Sequence, residues 1–130
     1  HIGLTPQSVF HLGGYRVQAP ADGDRERLLA DAMALEEAGA SLLVLEAMPA
    51  KVADFVTDHL QIPTIGIGAS AHCSGQVLVL HDMLDIAPGK KPRFVKNFMV
   101  GKDSVAAAIS AYVSETRAGT FPGPDQQYPD

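Results

Sequence analysis

The run SLLVLE at 41 to 46 ends on Glu46, and Pro49 follows three residues later. Taking a carboxylate out of water is costly unless it is paired or put to use. Held at the mouth of an apolar pocket, its pKa rises and it can act as a general acid or base. The same placement suits a structural ion pair, and position alone leaves both open. His1 is either a hydrogen-bond donor to a substrate or a ring packed beside a strand with one satisfied bond. Ser70 with His72, and His81 with Asp82, also follow apolar runs. His81 and Asp82 are adjacent, so on a strand they face opposite ways and one of them is structural. Cys73 has a histidine beside it in sequence, which does not activate it, and a buried inert thiol is the default. GIGAS at 66 to 70 lacks the dinucleotide fingerprint and the P-loop lysine. Its glycines suit a strand that packs closely and turns sharply. No histidines or carboxylates recur at metal-ligand spacing, so metal ligands must come largely from elsewhere.

These residues need elements to hold them. Short apolar runs alternate with segments of helical period, which predicts an α/β fold with parallel strands and helices packed outside. A first strand at His1 to Leu4 leads to Thr5 as N-cap and Pro6 at the first helical position, with a short helix to about Leu12. A loop over Tyr15 to Ala21 leads to Asp22 and Asp24 at the start of a helix. There Leu28, Ala32 and Leu35 recur at helical spacing beside Leu29 and Met33, and Gly39 supplies a left-handed stop. Ser41 to Glu46 is a continuous apolar strand of the kind expected where both faces are covered. Pro49 and Ala50 open a helix with Val52, Val56 and Leu60 on one face. Pro63 to Gly68 and Gly75 to Asp82 predict a third and a fourth strand. Asp103 or Ser104 caps a last helix with Val105, Ile109, Tyr112 and Val113 inward, ended by Gly119. Residues 120 to 130 hold three prolines and predict an extended C-terminal arm or a frayed end.

The unit of strand plus helix thus occurs about four times, in one domain over 1 to 130. An eight-unit β/α barrel needs roughly 250 residues. In such barrels the catalytic groups sit at the C-terminal ends of the strands. The His1 and Thr5 neighbourhood, Glu46, Ser70 with His72, and His81 with Asp82 would then converge on one pocket.

Composition narrows the partners. A chain of 130 residues, 46% hydrophobic and 19% charged, has the balance of a globular domain. The formal charge of -5 gives no basic footprint for nucleic acid, and the basic residues are scattered apart from Lys90, Lys91 and Arg93. Apolar runs fall far short of the roughly 20 residues that span a bilayer. A lone Cys73 suits a reducing compartment and predicts the cytoplasm. The start at His1 resembles neither a primary translation product nor a signal peptide, so the chain is expected to have been cut there.

HIGLTPQSV at 1 to 9, GGYRVQ at 13 to 18, AGASLLVLEAMP at 38 to 49, IPTIGIGAS at 62 to 70, GQVLVLHDML at 75 to 84 and PRFVKNF at 92 to 98 resemble the ketopantoate hydroxymethyltransferase family. The resemblance runs nearly end to end and includes Tyr112-Val113 and Thr120-Phe121-Pro122. Many relatives read GAG after the IGI and an aspartate before GQ, where this chain has Ser70 and Ser74.

The resemblance implies a (β/α)8 TIM barrel of about twice this length, with this chain as its C-terminal half, strands five to eight. It implies transfer of a hydroxymethyl group from 5,10-methylenetetrahydrofolate to 3-methyl-2-oxobutanoate, a small keto acid, giving ketopantoate in pantothenate biosynthesis. Glu46, in the VLE-x-x-P motif, would be the proton acceptor, and His1 would line the substrate pocket. The magnesium ligands would lie in the N-terminal half, a required partner, so this chain alone is expected to be inactive. A homo-oligomer, commonly a decamer, is implied too. The alternatives are a catalytically silent half-barrel module pairing with itself and a barrel lyase of the phosphoenolpyruvate mutase and isocitrate lyase kind.

Overall fold

The computed structural model describes residues 1–8, 11, 17 and 22–129. GGYRVQ and the loop that follows it lie largely outside the described residues, as does the end of the first expected helix. What is described there is a 3-10 turn at Pro6–Ser8, closed by the Ser8 N–H donating to the Thr5 carbonyl.

Four parallel strands form one sheet: β1 (Ile2–Gly3), β2 (Leu43–Glu46), β3 (Thr64–Ile67) and β4 (Gly75–Gln76). They lie in the order β1-β2-β3-β4, so every strand neighbours its predecessor in the chain. A doubly wound sheet reverses direction at a switch point, whereas a barrel winds on one way. The order here is the barrel's, over four strands of the eight.

Helix α1 (Asp22–Glu37) leads into β2, and α2 (Ala50–His59) connects β2 to β3. Gly39, at φ +95°, ends α1 as its position predicts, with the Ala40 N–H donating back to the Leu35 carbonyl. Glu36 then accepts from the N–H groups of Gln61 at 2.7 Å and Ile62 at 2.8 Å, tying the end of α1 to the turn into β3. Leu43 and Leu45 of β2 point to the helices and are buried with Ala32, Met48, Val52, Ala53, Val56 and Leu60. Val44 and Glu46 alternate with them on the other face and are only partly buried, and Ile65 and Ile67 of β3 repeat the pattern. The expectation that both faces are fully covered is therefore corrected: the helix-side face is covered and the opposite face is half open. On α1, Ala32 is the buried member of the expected stripe, while Met33 and Leu35 stand at the surface.

The fourth strand is shorter than expected. β3 runs to Ile67, but β4 pairs with Ile65 and Gly66 alone. After the Val77 N–H donates to the Gly66 carbonyl, the chain leaves the ladder and folds into a single helical turn, α3 (Leu80–Met83). His81 and Asp82 are thus on a helix, and the opposite-faces argument for them does not apply.

The last helix, α4 (Val105–Arg117), starts where the sequence places it, with the Ser104 hydroxyl accepting from the Ala107 N–H. Its packed face differs from the expected one. Ala108 is buried and Ala111 and Tyr112 pack beside it, whereas Val105, Ile109 and Val113 are 38–49% exposed. Alanines let the helix approach closely, and the ring of Tyr112 fixes the orientation. It meets Phe98 and Phe121 edge-on at 5.4 and 5.6 Å, and its hydroxyl donates to the Gln76 carbonyl at 2.8 Å.

Beyond Gly119 the chain turns back. Phe121 and Pro122 are buried, Pro124–Gln126 forms a 3-10 turn, and Tyr128 pairs with Pro49 at the start of α2. No helix of the described residues is long and apolar enough to cross a membrane.

Candidate active site at the end of strand β2

Glu46 is the last residue of β2, and its backbone is pinned from both sides. Its carbonyl accepts from the Leu4 N–H at 2.9 Å, while the next two N–H groups, of Ala47 and Met48, donate to the carbonyls of Ile67 and Gly68 at 3.0 Å. Ala47 between them is held at φ +50°, a conformation that costs an L-residue on the order of 1 kcal/mol. It turns the chain sharply, so that Pro49 starts α2 while the Glu46 side chain stays on the half-open inner face. Strain of this kind persists only where surrounding bonds impose it, and it collects at functional sites.

The Glu46 Oε2 lies 3.0 Å from the His1 Nε2, with the carboxylate side chain 14% exposed and the imidazole 32%. The strand register sets Ile2 opposite Leu45 and Gly3 opposite Glu46, so His1 precedes β1 and it is its ring that reaches the carboxylate. Burial disfavours the charged form of the carboxyl group, so the Glu46 pKa is raised. A carboxylate that is partly desolvated, more basic than usual and held by a ring nitrogen is suited to accept a proton from a carbon or oxygen acid bound beside it.

The other expected groups do not join this pair. Ser70 is buried, with its hydroxyl accepting from the His72 N–H at 3.1 Å and its carbonyl from the Gln76 side-chain amide at 2.8 Å. The His72 ring turns outward to Asp58 at 2.7 Å, whose hydrogen bond raises its pKa. His81 is exposed on α3. Among the described residues no hydrogen bond or ion pair links Ser70, His72, His81 or Asp82 to Glu46. Of the four strand ends expected to converge, the first two meet. Cys73 is buried and its pKa is raised by that burial, the opposite of an activated thiol. Gly66 and Gly68 are structural: a Cβ on Gly68 would lie 2.5 Å from the Phe94 Cδ1, and one on Gly66 would lie 2.9 Å from the Gln76 Oε1.

Sequence reasoning passed over Tyr128. Its carbonyl accepts from the Ala50 N–H at 3.4 Å, and its ring meets Phe94 edge-on at 6.4 Å. Burial raises its phenol pKa, Arg93 opposes that rise and Glu46 adds to it, so the phenol is within electrostatic reach of both charges. The one available signal was an aromatic residue in an otherwise featureless proline-rich tail.

Among the described residues no three His, Cys, Asp or Glu side chains gather as a metal site. Magnesium takes about six oxygens in near-octahedral array, and one carboxylate beside an imidazole is not such a set.

Residues 1–124 match the family model described as ketopantoate hydroxymethyltransferase. The chain is 59% identical over 128 residues to proteins named 3-methyl-2-oxobutanoate hydroxymethyltransferase from Burkholderia mallei, Burkholderia pseudomallei and Burkholderia thailandensis. Each alignment covers 98% of this chain and 47% of the relative. The chain thus spans about half the length of the relatives it matches, in keeping with four strands of an eight-stranded barrel. The match sets aside the lyases of the phosphoenolpyruvate mutase kind as this chain's family.

Proposed function

The chain belongs to the ketopantoate hydroxymethyltransferase family, and from that premise we propose that it supplies the proton-accepting side of an active site that converts 3-methyl-2-oxobutanoate to ketopantoate. The hydroxymethyl group comes from 5,10-methylenetetrahydrofolate. The observation that carries this reading is the Glu46 carboxylate, raised in pKa by burial and 3.0 Å from His1 at the C-terminal end of a parallel strand.

Glu46 accepts the proton from the carbon next to the substrate's keto group. His1 lines the pocket beside it and holds the carboxylate in one orientation. Oxygen ligands of the complementary half of the barrel would hold any magnesium that the reaction uses. The exposed stripe of Val105, Ile109 and Val113 on α4 and the half-open inner face of β2 and β3 are apolar surfaces suited to contact that half. The working enzyme is then a complete barrel, assembled as a homo-oligomer in the cytoplasm.

The test combines this chain with the N-terminal half of one of the Burkholderia relatives, in D2O with magnesium and 3-methyl-2-oxobutanoate. NMR then follows loss of the substrate's C3 proton. Exchange is expected with the wild-type chain and is expected to fall by about 10²- to 10⁴-fold with Glu46→Gln. Undiminished exchange in that variant would sink the assignment.

A further inference from the structure

A cavity of about 310 Å³ opens at the start of α2, lined by Ala50 and Lys51, by Arg93, and by Gln127 and Tyr128 of the returning C-terminal segment. That volume is at the low end for ligand pockets, enough for one end of a molecule and not for the whole of a large one. The lining is unusual for a chain of formal charge -5, because two of its side chains are cationic. Arg93 donates its Nε–H to the Asp125 backbone carbonyl at 3.2 Å. A neutral carbonyl takes that bond, so it aims the guanidinium without cancelling its charge. One lining residue, Tyr128, links the cavity to the site already described, since Glu46 acts electrostatically on its phenol. Tyr128 pairs with Pro49, and Pro49 is three residues from Glu46, within about 11 Å along the chain.

The geometry points to a second subsite here: Lys51 and Arg93 hold a carboxylate-bearing tail of a ligand whose reactive end lies at Glu46. An arginine fork matches a carboxylate in two parallel hydrogen bonds, and the lysine adds a point charge. The tail is that of the one-carbon donor, since folates end in a glutamyl dicarboxylate; this choice of ligand rests on the function proposed above. The reactive end of such a donor is a neutral ring system, which can approach the Glu46 carboxylate without charge repulsion. A division of labour follows, in which the cations anchor the tail and the strand end does the chemistry.

The test titrates this chain with p-aminobenzoylglutamate, which carries the dicarboxylate tail alone, and with its uncharged bis-amide, observed by amide NMR. Saturable shifts are expected at Ala50, Lys51 and Tyr128 with the acid. Binding is expected to be about tenfold weaker for the bis-amide, and about tenfold weaker for the acid in Arg93→Gln or Lys51→Gln. Equal binding of acid and bis-amide, unchanged binding in both variants, or shifts confined to other residues would overturn the subsite. Tighter binding of inorganic phosphate at the same amides would overturn the carboxylate assignment. Proton exchange is read with Glu46→Gln and this titration with Arg93→Gln and Lys51→Gln, so a failure of the proton-transfer reading and a failure of the subsite register in different experiments.

Discussion

Gly3 lies so close against Glu46 that one added carbon on Gly3 would overlap the Glu46 carbonyl oxygen. Gly3 also sits at φ +87°, where any side chain is strained. The neighbour is backbone already fixed by the Leu4 N–H, so it cannot swing aside as a flexible side chain could. Gly3→Ala is expected to destabilise the fold by about 2–4 kcal/mol, read as a lower urea midpoint with unchanged slope. A variant as stable as the parent would mean that β1 and β2 are not in this register.

His1→Gln removes the ring that can carry positive charge beside Glu46. Loss of a ring that can be cationic 3.0 Å away disfavours the carboxylate, so its pKa, already raised by burial, should rise further. The base must be ionised to work. The acid limb of the pH profile for proton exchange, measured in the assembled barrel, is therefore expected to move to higher pH. Movement to lower pH, or none, would show that His1 and Glu46 do not interact in the working site.

Glu46 should also cost stability. Burial raises its pKa in the folded state, so folded molecules keep a proton that unfolded ones release near pH 4.3. Stability conferred by the protonated form is present below that pH and is lost as pH rises toward the folded value. Glu46→Gln carries no such penalty. Relative to the parent, it is expected to be more stable at pH 7 by on the order of 1 kcal/mol or less, with the advantage shrinking at pH 4. Urea titrations at the two pH values measure the difference.

The His72 and Asp58 pair has the opposite dependence. Its hydrogen bond raises the His72 pKa, so its contribution is present in full below the ordinary histidine value and is lost as pH rises through the folded one. The side chains are 55% and 62% exposed, and solvent screens the pair. His72→Ala is expected to cost no more than about 0.5 kcal/mol at pH 5.5 and nothing measurable at pH 9.

Much of this was legible in the residues. β2 and β3 are apolar runs bracketed by Gly39 and Pro49, and by Pro63 and Gly68, and α1 and α4 carry their own stop and start signals. The length of β4 was not legible, because nothing in the apolar pattern of GQVLVLHD marks where the chain leaves the ladder after Val77 to form α3. The packed side of α4 was misread for a related reason. The apolar stripe of Val105, Ile109 and Val113 outweighs Ala108 and Ala111 on any hydropathy scale, yet the small residues permit close approach. Glu46 announced itself as a charge at the end of an apolar run. Tyr128 and Arg93 could not, since their meeting at the start of α2 depends on a chain reversal after Gly119 that has no periodic pattern.

The half-open inner face of β2 and β3 makes the assembly of this chain optically observable. Val44, Ile65 and Ile67 are partly buried apolar residues on two strands that pair along their whole length. A fluorescent dye such as ANS should bind there while the circular dichroism of the helices stays native in shape. Such a signal would usually be taken as loose packing, whereas here it would report an ordered surface awaiting cover, and its quenching would give the kinetics of barrel closure directly.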